Sequence, residues 1–243
     1  MRRDLLRPKW LAFHIVCAAA IVAMVSLGGW QLRRLDDKRD FNDRVRTTTD
    51  APVAELDDLG DDVDEYRRVT VSGSYLEREL IVVNVSQGGT SGRNQVVALS
   101  LADGTLLIVN RGFAIGAAGF PALPIGEVEV TGRVRASQEA RTGQPVDDAN
   151  ALLVEIRRVD LDILAGQFDM PLRPYYLELL LENGAPVDGL QPIAAPTLDE
   201  GPHLSYAIQW YVFSLSVAVG WVFAVRRGGP SGRRRALIPE QYL

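Results

Sequence analysis

Two stretches of this 243-residue chain carry no Asp, Glu, Lys or Arg: the run between Lys9 and Arg33, and the run between Glu200 and Arg226. Each exceeds the ~20 apolar residues that a helix rising ~1.5 Å per residue needs to cross a hydrocarbon core of ~30 Å. Lipid offers the backbone no hydrogen-bond partners, so such a segment must close its own bonds as a helix. The sequence therefore predicts transmembrane helices over 10–32 and 203–225. Residues 33–201 are left as one water-exposed domain, with basic tails at 1–9 and 226–243. The first run outlasts the ~7–15-residue apolar core of a signal peptide. It also passes into "GGWQLRRL" without a small-x-small cleavage site, which predicts an uncleaved anchor.

Charge predicts the orientation. Arg2, Arg3, Arg7 and Lys9 precede the first run, and Arg226, Arg227, Arg233, Arg234 and Arg235 follow the second. Basic flanks stay cytoplasmic. Both termini are expected inside and residues 33–201 outside, in a bacterial plasma membrane. Of the 26 basic residues nine lie in these tails, and of the 31 acidic residues two do, so the central segment carries a net charge of about −12. An acidic, lysine-poor surface argues against nucleic acid as a partner. It reads either as a solvated face or as a docking face for a basic partner. The single cysteine, Cys17, falls inside the first apolar run. The central domain therefore has no disulfide, no redox dithiol and no covalent c-type haem site, and must be held by packing.

After the first helix, "RRLDDKRDFNDRVR" keeps sparse apolar positions at Leu35, Phe41 and Val45, which predicts that the helix continues beyond the membrane. The acidic "TTTDAPVAELDDLGDDVDE" reads as a loop. Strands are expected over "YRRVTVSGSY", "ELIVVNVS", "NQVVALSL", "TLLIVNRGF", "GEVEVTGRVR", "ALLVEIRR" and "RPYYLELLLEN", with "ADG" as a hairpin turn. "DLDILAGQF" reads as one small helix capped by Asp160. The fold class is thus a membrane protein in which two transmembrane α-helices flank one mainly antiparallel β domain, barrel- or sandwich-like, with a small helix. The last segment, "GGPSGRRRALIPEQYL", reads as a flexible tail.

No enzymatic constellation is legible. The only histidines are His14 and His203, both outside the central domain's interior, so a Ser-His-Asp site has no base there. "QGGTSG" lacks the lysine of a phosphate loop and reads as a turn. His14 and Cys17, one turn apart, are an incomplete ligand set. His203 stands out more. It follows Asp199, Glu200 and Pro202 at the start of the second helix, whose dipole favours a neutral, metal-competent imidazole. At ~100° per residue, His203, Tyr206, Ala207, Trp210, Ser214, Val217 and Trp221 share one face, with Ile208, Val212, Leu215 and Val219 opposite. Ser205, Gln209 and Ser216 form a second polar stripe, so two neighbours are expected. The residues alone leave two readings open: an interfacial histidine with an aromatic belt, or a ligand site.

Three motifs carry a resemblance to a known family. "LGGWQLRRL" is similar to a Gly-x-Trp-Gln-x-x-Arg element, placing Gly28, Trp30, Gln31 and Arg34. "LLIVNRGF" resembles a Val-Asn-Arg-Gly segment, placing Asn110, Arg111 and Gly112. "GPHLSYAIQWYVF" resembles a His-x-x-Tyr-Ala-x-Gln-Trp element, placing His203, Tyr206, Ala207, Gln209 and Trp210. Together they resemble the first member of the surfeit locus protein family, the cytochrome oxidase assembly factors. The resemblance implies a non-enzymatic factor that matures the haem-copper cytochrome c oxidase catalytic subunit. It implies haem a as cofactor, with His203 as an iron ligand and Tyr206 and Trp210 beside it. Gly28, Trp30, Gln31, Arg34, Arg111 and Gln209 are then expected in packing or partner contacts. The implied partners are the oxidase catalytic subunit, haem-synthesis enzymes and membrane lipid. The alternative is a structural or accessory subunit of a respiratory complex that does not bind haem.

Overall fold

A computed structural model describes residues 8–59, 63–117 and 119–227. The expectations for Arg2, Arg3, Arg7, Arg233, Arg234, Arg235, the flexible tail and part of the acidic loop lie outside the described residues. The chain divides into two compact units. One takes its described residues from the N-terminal helix up to Asn42 and from Leu198 onward, and the other covers Asp43–Thr197.

The first unit pairs helix α1 (Pro8–Asp50, whose last turns belong to the second unit) with helix α3 (His203–Arg227). Both are long and apolar enough to cross a membrane. As the sequence predicts, α1 runs unbroken through its charged segment. It ends only at Asp50, so the expected loop begins about four residues late. Their seam is periodic. On α1 the buried or half-buried positions include His14, Cys17, Ile21, Met24, Gly28, Gln31, Leu35, Lys38 and Asn42, in alternating steps of three and four. On α3 they include His203, Ala207, Trp210, Ser214, Val217, Trp221 and Ala224. This is the heptad spacing that keeps one stripe of each helix facing its neighbour. Small residues at the seam let the backbones approach. A Cβ built on Gly28 would lie 2.9 Å from the Tyr211 ring, so only glycine lets that ring rest on α1.

The second unit is built on five long strands. These are β2 (Arg68–Gln87), β3 (Thr90–Ser100), β4 (Leu106–Ile115), β5 (Glu127–Ala136) and β7 (Leu172–Glu182). They pair in the order β2-β3-β4-β7-β5, and β5 returns to β2, closing a ring. Four of the pairings are antiparallel and β4–β7 is parallel, so the sheet is mixed. Two short strands add parallel contacts to β2: β1 (Ala54–Glu55) and β6 (Glu155–Ile156). The connectivity is that of a closed Greek-key barrel, the architecture of OB-folds, which settles the barrel-or-sandwich choice. The sequence expects two strands where β2 runs continuously. Register shifts between Tyr75 and Glu79 and between Val82 and Val85, with Asn84 at φ 60°, bend it around the barrel instead. The expected strand "ALLVEIRR" is reduced to β6.

Two apolar clusters share the barrel wall. Val69, Val71, Val97, Leu99, Leu107, Val109, Val130 and Leu177 belong to the cluster that fills the interior. Leu80, Val82, Val96, Ala98, Ile108 and Tyr176 face outward and are covered by Leu153, Ile156, Val159, Leu161 and Leu164 from the connection between β5 and β7. Strands β3 and β4 are therefore buried on both faces, which is why "LLIVNRGF" reads as a continuous apolar run. The connection carries helix α2 (Leu161–Ala165), whose Asp160 side chain accepts from Ile163 N–H, as expected. Arg78 stitches it down, donating to the carbonyls of Leu153 (2.9 Å) and Gln167 (2.6 Å) and lying over the Phe168 ring.

Candidate functional site

The start of α3 is built by the residues before it. The Pro202 carbonyl accepts the Tyr206 N–H at 3.1 Å, the first bond of the helix, and also the Ser205 hydroxyl at 2.7 Å. Pro202 thus occupies the N-cap position, one residue earlier than its expected place in the first turn. Gly201 turns the chain with φ +65°. The turn is tied to α1 by Asn42, which donates to the Asp199 carbonyl at 3.1 Å. Arg39 adds a two-point contact to Glu200 at 3.1 and 2.9 Å.

His203 opens α3 and is half-buried. Its Nδ1 lies 2.8 Å from Oε1 of Gln31 on α1. An amide oxygen can only accept, so Nδ1 donates in this contact, and the neutral form of the ring has its lone pair on Nε2. Among the described residues Nε2 has no hydrogen-bond partner. A Cβ on Gly201 would sit 3.5 Å from Nε2, so glycine there leaves that edge of the ring open. In that form the ring is oriented through one nitrogen and open to coordination through the other, the arrangement common to metal-bound histidines.

Of the other residues expected here, Trp210 is half-buried on the α1-facing stripe and stacks edge-on to Phe213 at 6.2 Å. Tyr206 is 47% exposed and stands off the seam, unlike Ala207 beside it at 1%. The expected outward face is confirmed: Ile208, Val212, Leu215 and Val219 are all exposed. The second polar stripe is partly self-satisfied. Ser216 donates to the Val212 carbonyl, whereas Gln209 is exposed and its amide bonds to no described residue. Trp30 and Arg34 are exposed, and Arg34 makes only a 3.7 Å contact with Asp37. His14 accepts the Trp221 indole N–H at 2.7 Å. Trp221 lies 18 residues beyond His203, or ~27 Å along α3, so His14 belongs to the far end of the pair.

Arg111 belongs to the barrel unit. It projects into one end of the barrel interior with a 1% exposed side chain. It meets Glu182 through two parallel bonds at 3.0 and 2.8 Å, donates to Gln95 Oε1 at 2.8 Å and lies over the Tyr75 ring. The Tyr75 hydroxyl donates to the same Glu182 at 2.9 Å. Burial, reinforced by the Glu182 carboxylate, holds the Tyr75 phenol far above its ordinary range. A depression of about 310 Å³, rimmed by Pro121, Pro124 and Pro186, opens over this plug. A second cluster, Arg133–Glu178–Arg135, joins β5 to β7 at 2.6 and 3.0 Å. Arg133 also donates to the carbonyls of Ile193 and Ala194. Glu182, Gln95 and Tyr75 escape the sequence reading because each is an ordinary polar position in an alternating strand.

Among the described residues no group of three or more His, Cys, Asp or Glu side chains could enclose a metal ion. The family model described as "SURF1 family" matches residues 18–215. The chain belongs to the SURF1 family. An uncharacterized SURF1-like protein of Mycobacterium bovis is 29% identical over 231 residues, covering 89% of this chain and 83% of that relative. A SURF1-like protein of Rickettsia felis is 23% identical over 219 residues, covering 86% and 95%. The SURF1 match spans both the Gln31 and the His203 motifs and the whole barrel between them.

Proposed function

We propose that this SURF1-family chain is a non-enzymatic assembly factor for a haem-copper cytochrome c oxidase, holding haem a through His203 for the catalytic subunit. Its setting is a bacterial plasma membrane, with both termini cytoplasmic and the barrel outside. The observation that carries the reading is the 2.8 Å bond between His203 Nδ1 and Gln31. That bond leaves Nε2 as a lone-pair donor at the N-terminal end of a helix long enough to span a bilayer. A lone imidazole cannot build a metal site by itself, but it suits a metal that arrives with its own ligands. Haem would bring most of its own iron ligands, and His203 Nε2 would supply the one the protein must add. The chain then contributes orientation through Gln31, an open ring edge through Gly201 and aromatic surface through Tyr206 and Trp210. His14, committed to Trp221 at the far end, is not a second ligand to the same iron. The exposed Trp30, Arg34 and Gln209 are left to face the catalytic subunit or a haem-synthesis enzyme.

The test is the visible spectrum of the detergent-purified protein from cells that make haem a. The wild type is expected to carry haem and His203→Ala to lose most of it, with helix content unchanged. Equal haem in both proteins rejects the ligand. A haem-free wild type that co-purifies with the oxidase in fixed stoichiometry supports an accessory subunit instead.

A further inference from the structure

The polar seam contact between α1 and α3 has a chemical asymmetry. Gln31 presents a neutral amide oxygen to His203 Nδ1, where a carboxylate would fit the same space. We propose that Gln31 is the positioning residue for His203: it fixes the Nδ1–H tautomer and keeps the imidazole a moderate, releasable donor. This rests on the haem-holding reading above.

Support for the role of Gln31 comes in three parts. The first is geometric. Gln31 is half-buried at the seam, one turn from Gly28, where the Tyr211 ring lies against the backbone of α1. The close approach there holds the amide against the histidine. Turning the ring over to offer Nδ1 instead would break the 2.8 Å bond to Gln31. The second part is electronic. A hydrogen bond accepted from the remote nitrogen raises the basicity of the ligating one, and it does so more strongly when the acceptor is charged. An amide therefore orients the ring without deepening the metal bond, as a protein that must hand its cargo on requires. The third part concerns alternatives. His14 uses its Nδ1 as an acceptor from Trp221, so the two histidines of the chain are held in opposite tautomers. Only His203 has an Nε2 lone pair to offer.

The experiment uses full-length protein in detergent with ¹⁵N-labelled histidine. In haem-free protein, the His203 resonances, assigned by their loss in His203→Ala, should report a protonated Nδ1 and an unprotonated Nε2. Gln31→Leu should mix the tautomers and weaken haem retention by ~10–100-fold, the usual cost of removing such a partner. Gln31→Glu should restore the single tautomer and retain haem at least as well as wild type. It should also lower the midpoint potential of bound haem and slow its transfer to excess apomyoglobin. Circular dichroism of both variants should match wild type. A protonated Nε2 in the wild type, or retention and transfer indifferent to Gln31→Leu and Gln31→Glu, overturns the proposal while haem binding stands. A wild type that binds no haem overturns the functional reading and this one with it.

Discussion

At the residue scale the largest consequences attach to Arg111. Its guanidinium is enclosed, and it is held by Glu182, Gln95 and the Tyr75 ring together. Removing one member of a buried pair leaves the other as an uncompensated charge, which costs roughly 3–5 kcal/mol. Arg111→Ala is therefore expected to lower the thermal midpoint and the cellular level of the protein, and Arg111→Lys to recover little, because a point charge cannot make the two-point contact. Normal abundance in Arg111→Ala would contradict this. Tyr75 makes the same plug sensitive to alkali. Its folded pKa is raised by burial and by Glu182, so its contribution is fully present below the unfolded value near 10. Above that, the unfolded chain releases the phenolic proton while the folded chain keeps it, and stability falls. Thermal unfolding of the wild type should steepen its decline above about pH 10, and Tyr75→Phe should flatten it. The sequence announces Arg111 through its apolar strand, but not its partners. Glu182 lies 71 positions away on a strand whose register only the closed barrel determines. Likewise Gln31 and His203 are each visible as polar residues at the edge of an apolar helix. Their pairing follows from equal depth in two antiparallel helices, a signal present in the sequence but readable only once the helices are set side by side.

At the element scale, the helix pair was largely legible and the strands less so. Long charge-free runs specify helices with little ambiguity. The face of α3 assigned from the ~100° period is the face that packs, apart from Tyr206. The sequence predicts two strands in place of β2 because Glu77 and Arg78 interrupt the alternation. A strand that crosses from one side of a barrel to the other changes its neighbours midway, and its pattern breaks without the backbone breaking. The opposite error occurred at β6, where apolar residues serve to cover the barrel wall rather than to extend the sheet. Among the helices, Gly28 carries the sharpest prediction. Its ideal Cβ would be 2.9–3.1 Å from three ring carbons of Tyr211. Gly28→Leu should displace that ring and destabilise the purified protein by ~1–3 kcal/mol, the usual range for overpacking. Adding Tyr211→Ala should recover much of the loss. Thermal melts of the single and double variants decide it, and additive effects would show that the two residues do not share the contact.

For the molecule as a whole, the most consequential feature is where β7 sits. It is the last long strand in the chain, yet it lies between β4 and β5, pairing with one in parallel and the other antiparallel. A parallel pair cannot be joined by a tight turn, and here residues 137–171 make the return journey while covering the outer wall. A chain ending at Ala136 would possess four of the five ring strands and still have both gap edges bare. Such a truncation is expected to sediment with aggregates or be degraded. A soluble, protease-resistant fragment would show that the ring is dispensable. For the intact chain the same placement has a meaning in time. Synthesis of residues 137–182 takes roughly 2–9 s at ~5–20 residues per second. Throughout that interval two unpaired strand edges wait side by side for a partner that has not yet been made. The domain is most vulnerable before its last strand is translated, and a holding chaperone would find its substrate there.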